Sequence, residues 1–289
     1  MSEWPSVATS VVITGTGSPV PSPDRAGPGV LLTVGDRALQ FDVGRSTVQR
    51  LAGAGLWPTD LDAVFLTHHH SDHVVGLADL VLTRWVMDRT DEAPALPIVA
   101  PAGPSARFAA GVLTGWEDDV EVRRSHSGRA TSPAVDVIAF PTPVKPTEVW
   151  VGDGVRVLAA GVRHEPVSGA VGYRIETADG VVAVSGDTRV CEEVSWLASG
   201  ADVLVHEAMR FEPIEALPAH RRFILDYHAD TRLLGRQAAE IDVGTLILTH
   251  LLPVPETESD KEAFAREIRA GGFTGRLIVA DDLNSVSLG

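Results

Sequence analysis

Leu61-Asp62-Ala63-Val64-Phe65-Leu66-Thr67-His68-His69-His70-Ser71-Asp72-His73 is the stretch that decides the fold. An apolar run ends in the pattern His-x-His-x-Asp-His. Residues 61–67 read as a buried strand. Successive side chains of an extended chain alternate, so His68 and His70 point to one side and can share one metal ion. His69 points away from them. Residues 73–87 carry apolar side chains at helical spacing, so a helix is predicted there. The turn into that helix can bring Asp72 and His73 to a second ion. Neutral imidazole suits Zn, Mn or Fe, and carboxylate is a hard oxygen ligand.

Outward from this stretch, strands are predicted at 11–15, 30–34, 38–42 and 98–100, with helices at 46–54 and 102–115. The segment 117–131 is polar and charged, and 141–146 holds three prolines. The reading for 117–150 is a solvated connection, with a flap over the site as the alternative. Strands return at 155–162, 172–176 and 181–185. A helix (191–198), a strand (202–206), a helix (231–240), a strand (245–249), a helix (261–270) and a strand (277–280) complete the chain. Each half runs strands first, then strand–helix alternation. That order predicts an α/β fold with two sheets stacked inside helices, an αββα sandwich, as one domain over 1–289.

Composition narrows the function. The 289 residues hold 24 Lys and Arg against 39 Asp and Glu, a net charge of −15. Bulk charge therefore argues against nucleic acid as a partner, without excluding a local basic patch. The single cysteine, Cys191, rules out an intrachain disulfide and a Cys-rich metal site. The opening Met1-Ser2-Glu3-Trp4-Pro5 lacks a secretory signal pattern, and no apolar run approaches the ~18 residues of a membrane span. The expectation is a cytoplasmic protein with no membrane association.

The spacing of the cluster resembles the signature of the metallo-β-lactamase superfamily. In that family a downstream His, a metal-bridging Asp and a final His complete the site, each after an apolar strand. His164, Asp187 in Ser185-Gly186-Asp187-Thr188, and His250 in Leu248-Thr249-His250 match in that order. The chain is most similar to the ribonuclease Z-like branch, including its short cyclic-nucleotide phosphodiesterase-like members. Gly15-Thr16-Gly17-Ser18-Pro19 with Asp24-Arg25 resembles the branch's opening loop. His164-Glu165-Pro166-Val167 resembles its third-ligand segment. Val205-His206-Glu207-Ala208 resembles its His-Glu-Ala-Thr motif, with Met209 in place of Thr, and Tyr227-His228-Ala229-Asp230-Thr231 resembles its His-Ser-Thr segment. The likeness spans about residues 10–285.

The resemblance implies two divalent ions, zinc first, with manganese or iron as alternatives. It places His68, His70 and His164 on one ion, Asp72, His73 and His250 on the other, and Asp187 between them. A water activated by the ions is the expected nucleophile. Asp72, His228 and Glu207 form the catalytic set. Asp72 neutralises the cations, His228 gives a proton to the leaving oxygen, and Glu207 holds the His228 ring. Arg25, Arg84 and Trp85 are candidates for a substrate cleft, and Asp281-Asp282 for a contact behind the ligands. Cys191 reads as a packed small residue, His206 as support, and His126 and His220 as polar-segment residues.

Members that mature tRNA carry a basic arm between the third-ligand His and the bridging Asp. Here 22 residues separate His164 from Asp187, already filled by two strands and a turn. The expected substrate is therefore a small phosphodiester. A lactone, thioester or aryl sulfate ester is the second reading, endoribonuclease action the third, and a metal-binding scaffold without turnover the fourth. The resemblance also leaves a homodimer open.

Overall fold

The computed structural model describes residues 9–92 and 94–289; the opening Met1–Pro5 reading lies outside them. Fourteen strands form two sheets of seven among the described residues. The first sheet holds β1 (Ser10–Gly15), β2 (Gly29–Val34), β3 (Arg37–Phe41), β4 (Ala63–Phe65), β5 (Leu96–Pro101) and β6 (Val135–Phe140). The second holds β7 (Thr147–Gly152), β8 (Val155–Gly161), β9 (Val171–Thr177), β10 (Gly180–Val184), β11 (Val203–Met209), β12 (Thr245–Leu252) and β13 (Arg276–Val279). The last strand, β14 (Ser285–Ser287), returns to pair with β1 in the first sheet.

The sheets repeat one plan. In β14-β1-β2-β3-β4-β5-β6 the first three neighbouring pairs are antiparallel and the last three parallel; β7-β8-β9-β10-β11-β12-β13 does the same. Parallel neighbours need crossovers, and helices supply several of them on the outer faces. These are α1 (Thr47–Gly53), α2 (Ser71–Val74), α3 (Leu77–Met87), α4 (Pro104–Ala110), α5 (Glu117–Ser127), α6 (Glu192–Leu197), α7 (Phe211–Glu215), α8 (Thr231–Glu240) and α9 (Glu258–Ala270). The core lies between the sheets, where Phe41 and Phe65 of the first meet Tyr173 of the second at centroid distances of 5.4 and 5.6 Å. The Tyr173 hydroxyl donates to the Leu66 carbonyl at 2.6 Å, so the buried phenol is satisfied and ties the sheets together. The layered α/β arrangement is the one expected from the sequence.

Local differences have local causes. The predicted helix over 73–87 is two helices. Gly76 sits at the break because a Cβ there would lie 2.3 Å from the Gly44 carbonyl oxygen, so backbone packs directly on backbone. The segment 117–131 is not a loop: 117–127 form α5. None of its residues is buried, which is why apolar spacing gave no signal. It begins on Glu117, Asp118 and Asp119, pairs Asp119 with Arg123 at 2.9 Å, and ends at left-handed Gly128. The strands β6, β7 and β14 and helix α7 were also not predicted. Among the described residues, no helix is long and apolar enough to cross a membrane.

Candidate metal centre

Parallel strands deliver their C-terminal ends to one edge of the sandwich, and the candidate residues gather there. His68, His70, Asp72 and His73 follow β4, His164 follows β8, and Asp187 follows β10. Gly186 has a φ of 62°, and a Cβ on it would lie 2.9 Å from both the Thr67 Cβ and the Val171 carbonyl. Glycine alone lets the chain turn there and aim Asp187 inward. His250 lies within β12 at a register shift. Thr249 pairs with Glu207 and Leu251 with Ala208, leaving His250 unpaired with a φ of 43°. A bulge of this kind re-aims one side chain, and here it turns His250 into the cluster.

All seven predicted ligand positions come together. Ligand atoms of His68, His70, His164 and Asp187 lie within 4.8 Å of one another, and those of Asp72, His73 and His250 form an adjacent group of the same span. Asp187 joins the two: its carboxylate is 3.3 Å from His73 Nε2, 3.3 Å from His250 Nε2 and 3.9 Å from His68 Nε2. Asp72 Oδ2 lies 3.3 Å from His250 Nε2. Six of the seven are fully buried; His70 is half-buried.

Supporting atoms orient the rings. His73 Nδ1 meets Asp42 Oδ2 at 2.7 Å, His164 Nδ1 donates to the Tyr227 carbonyl at 3.0 Å, and His68 Nδ1 meets the Thr67 hydroxyl at 3.0 Å. Each contact fixes one ring nitrogen and leaves Nε2 facing the cluster, the arrangement by which carboxylates and carbonyls position metal-binding imidazoles. Sequence reading missed Asp42, which also accepts from the Thr67 amide and hydroxyl at 2.8 and 2.7 Å. Its available signal was a carboxylate ending an apolar strand.

The charge balance of the centre follows from burial and its carboxylates. Burial lowers His68 well below 6.5 and takes His70 to about 4; His164 falls for the same reason. Burial also disfavours charge on His73 and His250, but Asp187 with Asp42, and Asp187 with Asp72, outweigh it. His73 rises well above the ordinary value and His250 to about 9. Asp72 and Asp187 are held low despite burial, His250 and His73 being the chief counter-charges. Protons on two imidazoles thus neutralise buried carboxylates. His68 Nε2 is buried without a hydrogen-bond partner, and His73 Nε2 and Asp187 Oδ1 face each other at 3.3 Å without hydrogen-bond geometry, an uncommon cost that a cation would relieve. Imidazole and carboxylate donors around these orphaned atoms fit divalent metal.

His228 stands beside the second group. Its Nδ1 meets Glu207 Oε1 at 2.8 Å, and the same oxygen accepts the Thr188 amide at 3.0 Å. The His228 ring stacks on His250 with centroids 5.4 Å apart.

The other candidates lie elsewhere. Trp85 is a buried residue of α3, and its neighbour Arg84 donates from Nη1 to the carbonyls of Pro58, Thr59 and Leu61. Neither lines a cleft at the centre. Arg25 binds the Thr16 hydroxyl, the Ala280 carbonyl and Asp281, on the wall of a separate groove. Asp282 accepts from Thr16, Ala26 and Arg50, holding the opening loop. His206 Nδ1 meets the Glu207 carbonyl at 2.6 Å. Burial raises the Cys191 thiol, so it is a poor nucleophile. His69 is half-buried, and His126 and His220 are exposed.

Comparison with known proteins agrees with this geometry. Residues 33–251 match the family model described as Beta-lactamase superfamily domain. A protein named ribonuclease Z from Mycobacterium bovis is 36% identical over 280 residues, covering 96% of this chain and 98% of that one. The chain belongs to the metallo-β-lactamase superfamily. It is a metal-dependent hydrolase of that superfamily, and divalent metal binding comes with the fold. Two solved structures share its architecture. The metallo-β-lactamase fold protein YhfI from Bacillus subtilis superposes with a TM-score of 0.73 at 21% identity, covering 96% of this chain and 99% of that one. A diphosphatase from the PhnP family gives 0.68 at 16% identity, covering 97% and 98%.

Proposed function

We propose that the chain, acting as one domain, is a dinuclear metal-dependent phosphodiesterase for a small phosphodiester. The observation that carries this reading is the pair of adjacent ligand groups joined by buried Asp187, with the Glu207–His228 pair 2.8 Å long beside them. His68, His70 and His164 are assigned to one ion, Asp72, His73 and His250 to the other, and Asp187 to both. Zinc is the ion that a His-rich set with hard oxygen ligands favours. When bound, the ions lower the pKa of water to about 7 and neutralise charge on an attacked phosphoryl oxygen.

The chain's own residues do the rest. Glu207 holds the His228 ring by Nδ1, which is the geometry that orients an acid/base imidazole. His228 then passes a proton to the oxygen that leaves. Thr188 fixes the Glu207 carboxylate, and Asp42, Tyr227 and Thr67 hold the ligand rings. Asp72 and Asp187 supply the negative charge that keeps cations at the centre.

The segment between His164 and Asp187 supports the small-substrate reading. It is consumed by β9, β10 and the tight turn Thr177–Gly180, with no protruding arm. The relative named ribonuclease Z supports a second reading, an endoribonuclease. A panel separates the readings. Metal-replete protein is assayed on bis(p-nitrophenyl) phosphate, a lactone, an aryl sulfate and a tRNA precursor. Turnover of the phosphodiester without cleavage of the precursor is expected. Brisk lactone or sulfate hydrolysis with no phosphodiester turnover overturns the proposal, and precise cutting of the precursor favours the second reading.

A further inference from the structure

The buried centre has one open flank. His70 is the only half-buried member of the seven, and it forms part of a depression of about 330 Å³. The aromatic side chains of Phe223 and Tyr227 line this depression, their ring centroids 6.1 Å apart. Pro166 and Val167 add apolar surface from the loop after His164. Phe223 is 58% exposed, so its ring is open to a ligand from solvent.

Two more features give the pocket its polarity. Its charged lining groups are the carboxylates of Glu165 and Asp226, and no Lys or Arg lines it among the described residues. Glu165 is offset by Arg189 at 3.1 Å and Arg163 at 3.7 Å, which leaves the Asp226 carboxylate to set the sign of the pocket. A second anionic group is therefore disfavoured here, while an aromatic face is favoured. The pocket also adjoins the assigned proton donor: Tyr227 precedes His228, and their rings are 4.8 Å apart by centroid. The aromatic wall of the pocket and the assigned proton donor are thus neighbours in space.

We infer that the pocket formed by Phe223, Tyr227, Pro166 and Val167 is the leaving-group subsite, selecting phosphodiesters whose departing alcohol carries an uncharged aromatic ring. This rests on the phosphodiesterase reading. The ring stacks on Phe223 and Tyr227 while its ester oxygen faces His228. The P–O bond to the aromatic alcohol breaks, water adds to phosphorus, and the leaving oxygen takes one proton. Specificity on this assignment belongs to the departing half of the diester, because the aromatic surface and the proton donor are neighbours.

The test uses metal-replete full-length protein and two substrates, methyl phenyl phosphate and methyl trifluoroethyl phosphate, followed by phosphorus NMR. Stacking on an aromatic side chain typically contributes enough that its loss is read as about a tenfold effect. Phe223→Ala is expected to lower the aryl-over-alkyl ratio of kcat/KM by about tenfold, and Phe223→Trp to restore it. Adding a carboxylate to the aryl ring is expected to lower kcat/KM, and Asp226→Asn to narrow that gap. An unchanged ratio in Phe223→Ala, or recovery absent in Phe223→Trp, overturns the subsite. Calorimetric binding of phenylphosphonate against methylphosphonate reads the same pocket without turnover. If the wild type hydrolyses neither diester, the phosphodiesterase reading fails, and a phenyl preference lost in Phe223→Ala still upholds the aromatic site; no preference overturns it.

Discussion

His228 is where chemistry and support separate most cleanly. It is buried against Glu207 and stacked on His250, and its ring nitrogen also lies within ligand range of Asp187 and His250, although the seven assigned ligands do not include it. His228→Ala is expected to retain both metals by elemental analysis and to lower kcat on phosphodiesters by about 10²–10⁴-fold, the range for a positioned proton donor. An unchanged kcat contradicts the role, and loss of metal reassigns His228 as a ligand. The seven candidate positions were legible because each interrupts an apolar strand end with a ligand-type side chain, in an order that few folds require. Asp42 was not. Its importance comes from His73 Nδ1 lying 2.7 Å away across 31 positions of sequence, a pairing that only the folded chain creates. Tyr227 was equally hidden, since it contributes a backbone carbonyl to His164.

Among the elements, strands whose apolar runs are buried on both faces were readable and edge pieces were not. β11 and β12 are buried along their whole length, and their near-continuous apolar runs mark them without any alternation. β6 and β7 close the sheets at one edge with half-exposed residues, so their pattern is weak. α5 is helical through acidic start, ion pairs and a left-handed glycine cap rather than through an apolar face. The bulge at His250 left no sequence signal at all, because register is a property of two strands. The break between α2 and α3 is the element most sensitive to a single methyl group. Gly76→Ala pushes a Cβ toward the Gly44 carbonyl, just after α2, which carries Asp72. Overpacking of this kind costs about 1–3 kcal/mol. Denaturant unfolding is expected to show that loss, whereas unchanged stability means the backbone contact is not as tight as described.

For the whole molecule, the two sheets repeat one strand plan and meet at a common edge, so each half brings candidate ligands to one centre. Net charge of −15 and the short β9–β10 turn both enter the proposal of a small substrate. The buried centre also makes stability depend on pH when metal is absent. His250 sits at about 9 in the folded chain against an ordinary value of 6.5. Its contribution is fully present below about pH 6.5 and is lost as pH rises through about 9. Chelator-treated protein is therefore expected to lose on the order of 3 kcal/mol of unfolding free energy between those pH values. His73, raised in the same direction, adds to the loss. Loaded protein is expected to escape it, because metal binding displaces those protons and tightens as pH rises. Equal stability of the chelated chain at pH 6.5 and 9 contradicts protonated imidazoles at the centre.

The ion count of the purified chain tests the shared centre most directly. Elemental analysis of protein saturated with zinc and then dialysed is predicted to give about two ions per chain, as two ligand groups joined by one carboxylate require. Asp187→Asn is predicted to lower that number. One ion or none in the wild type, or two ions retained undiminished in Asp187→Asn, contradicts a centre bridged by Asp187.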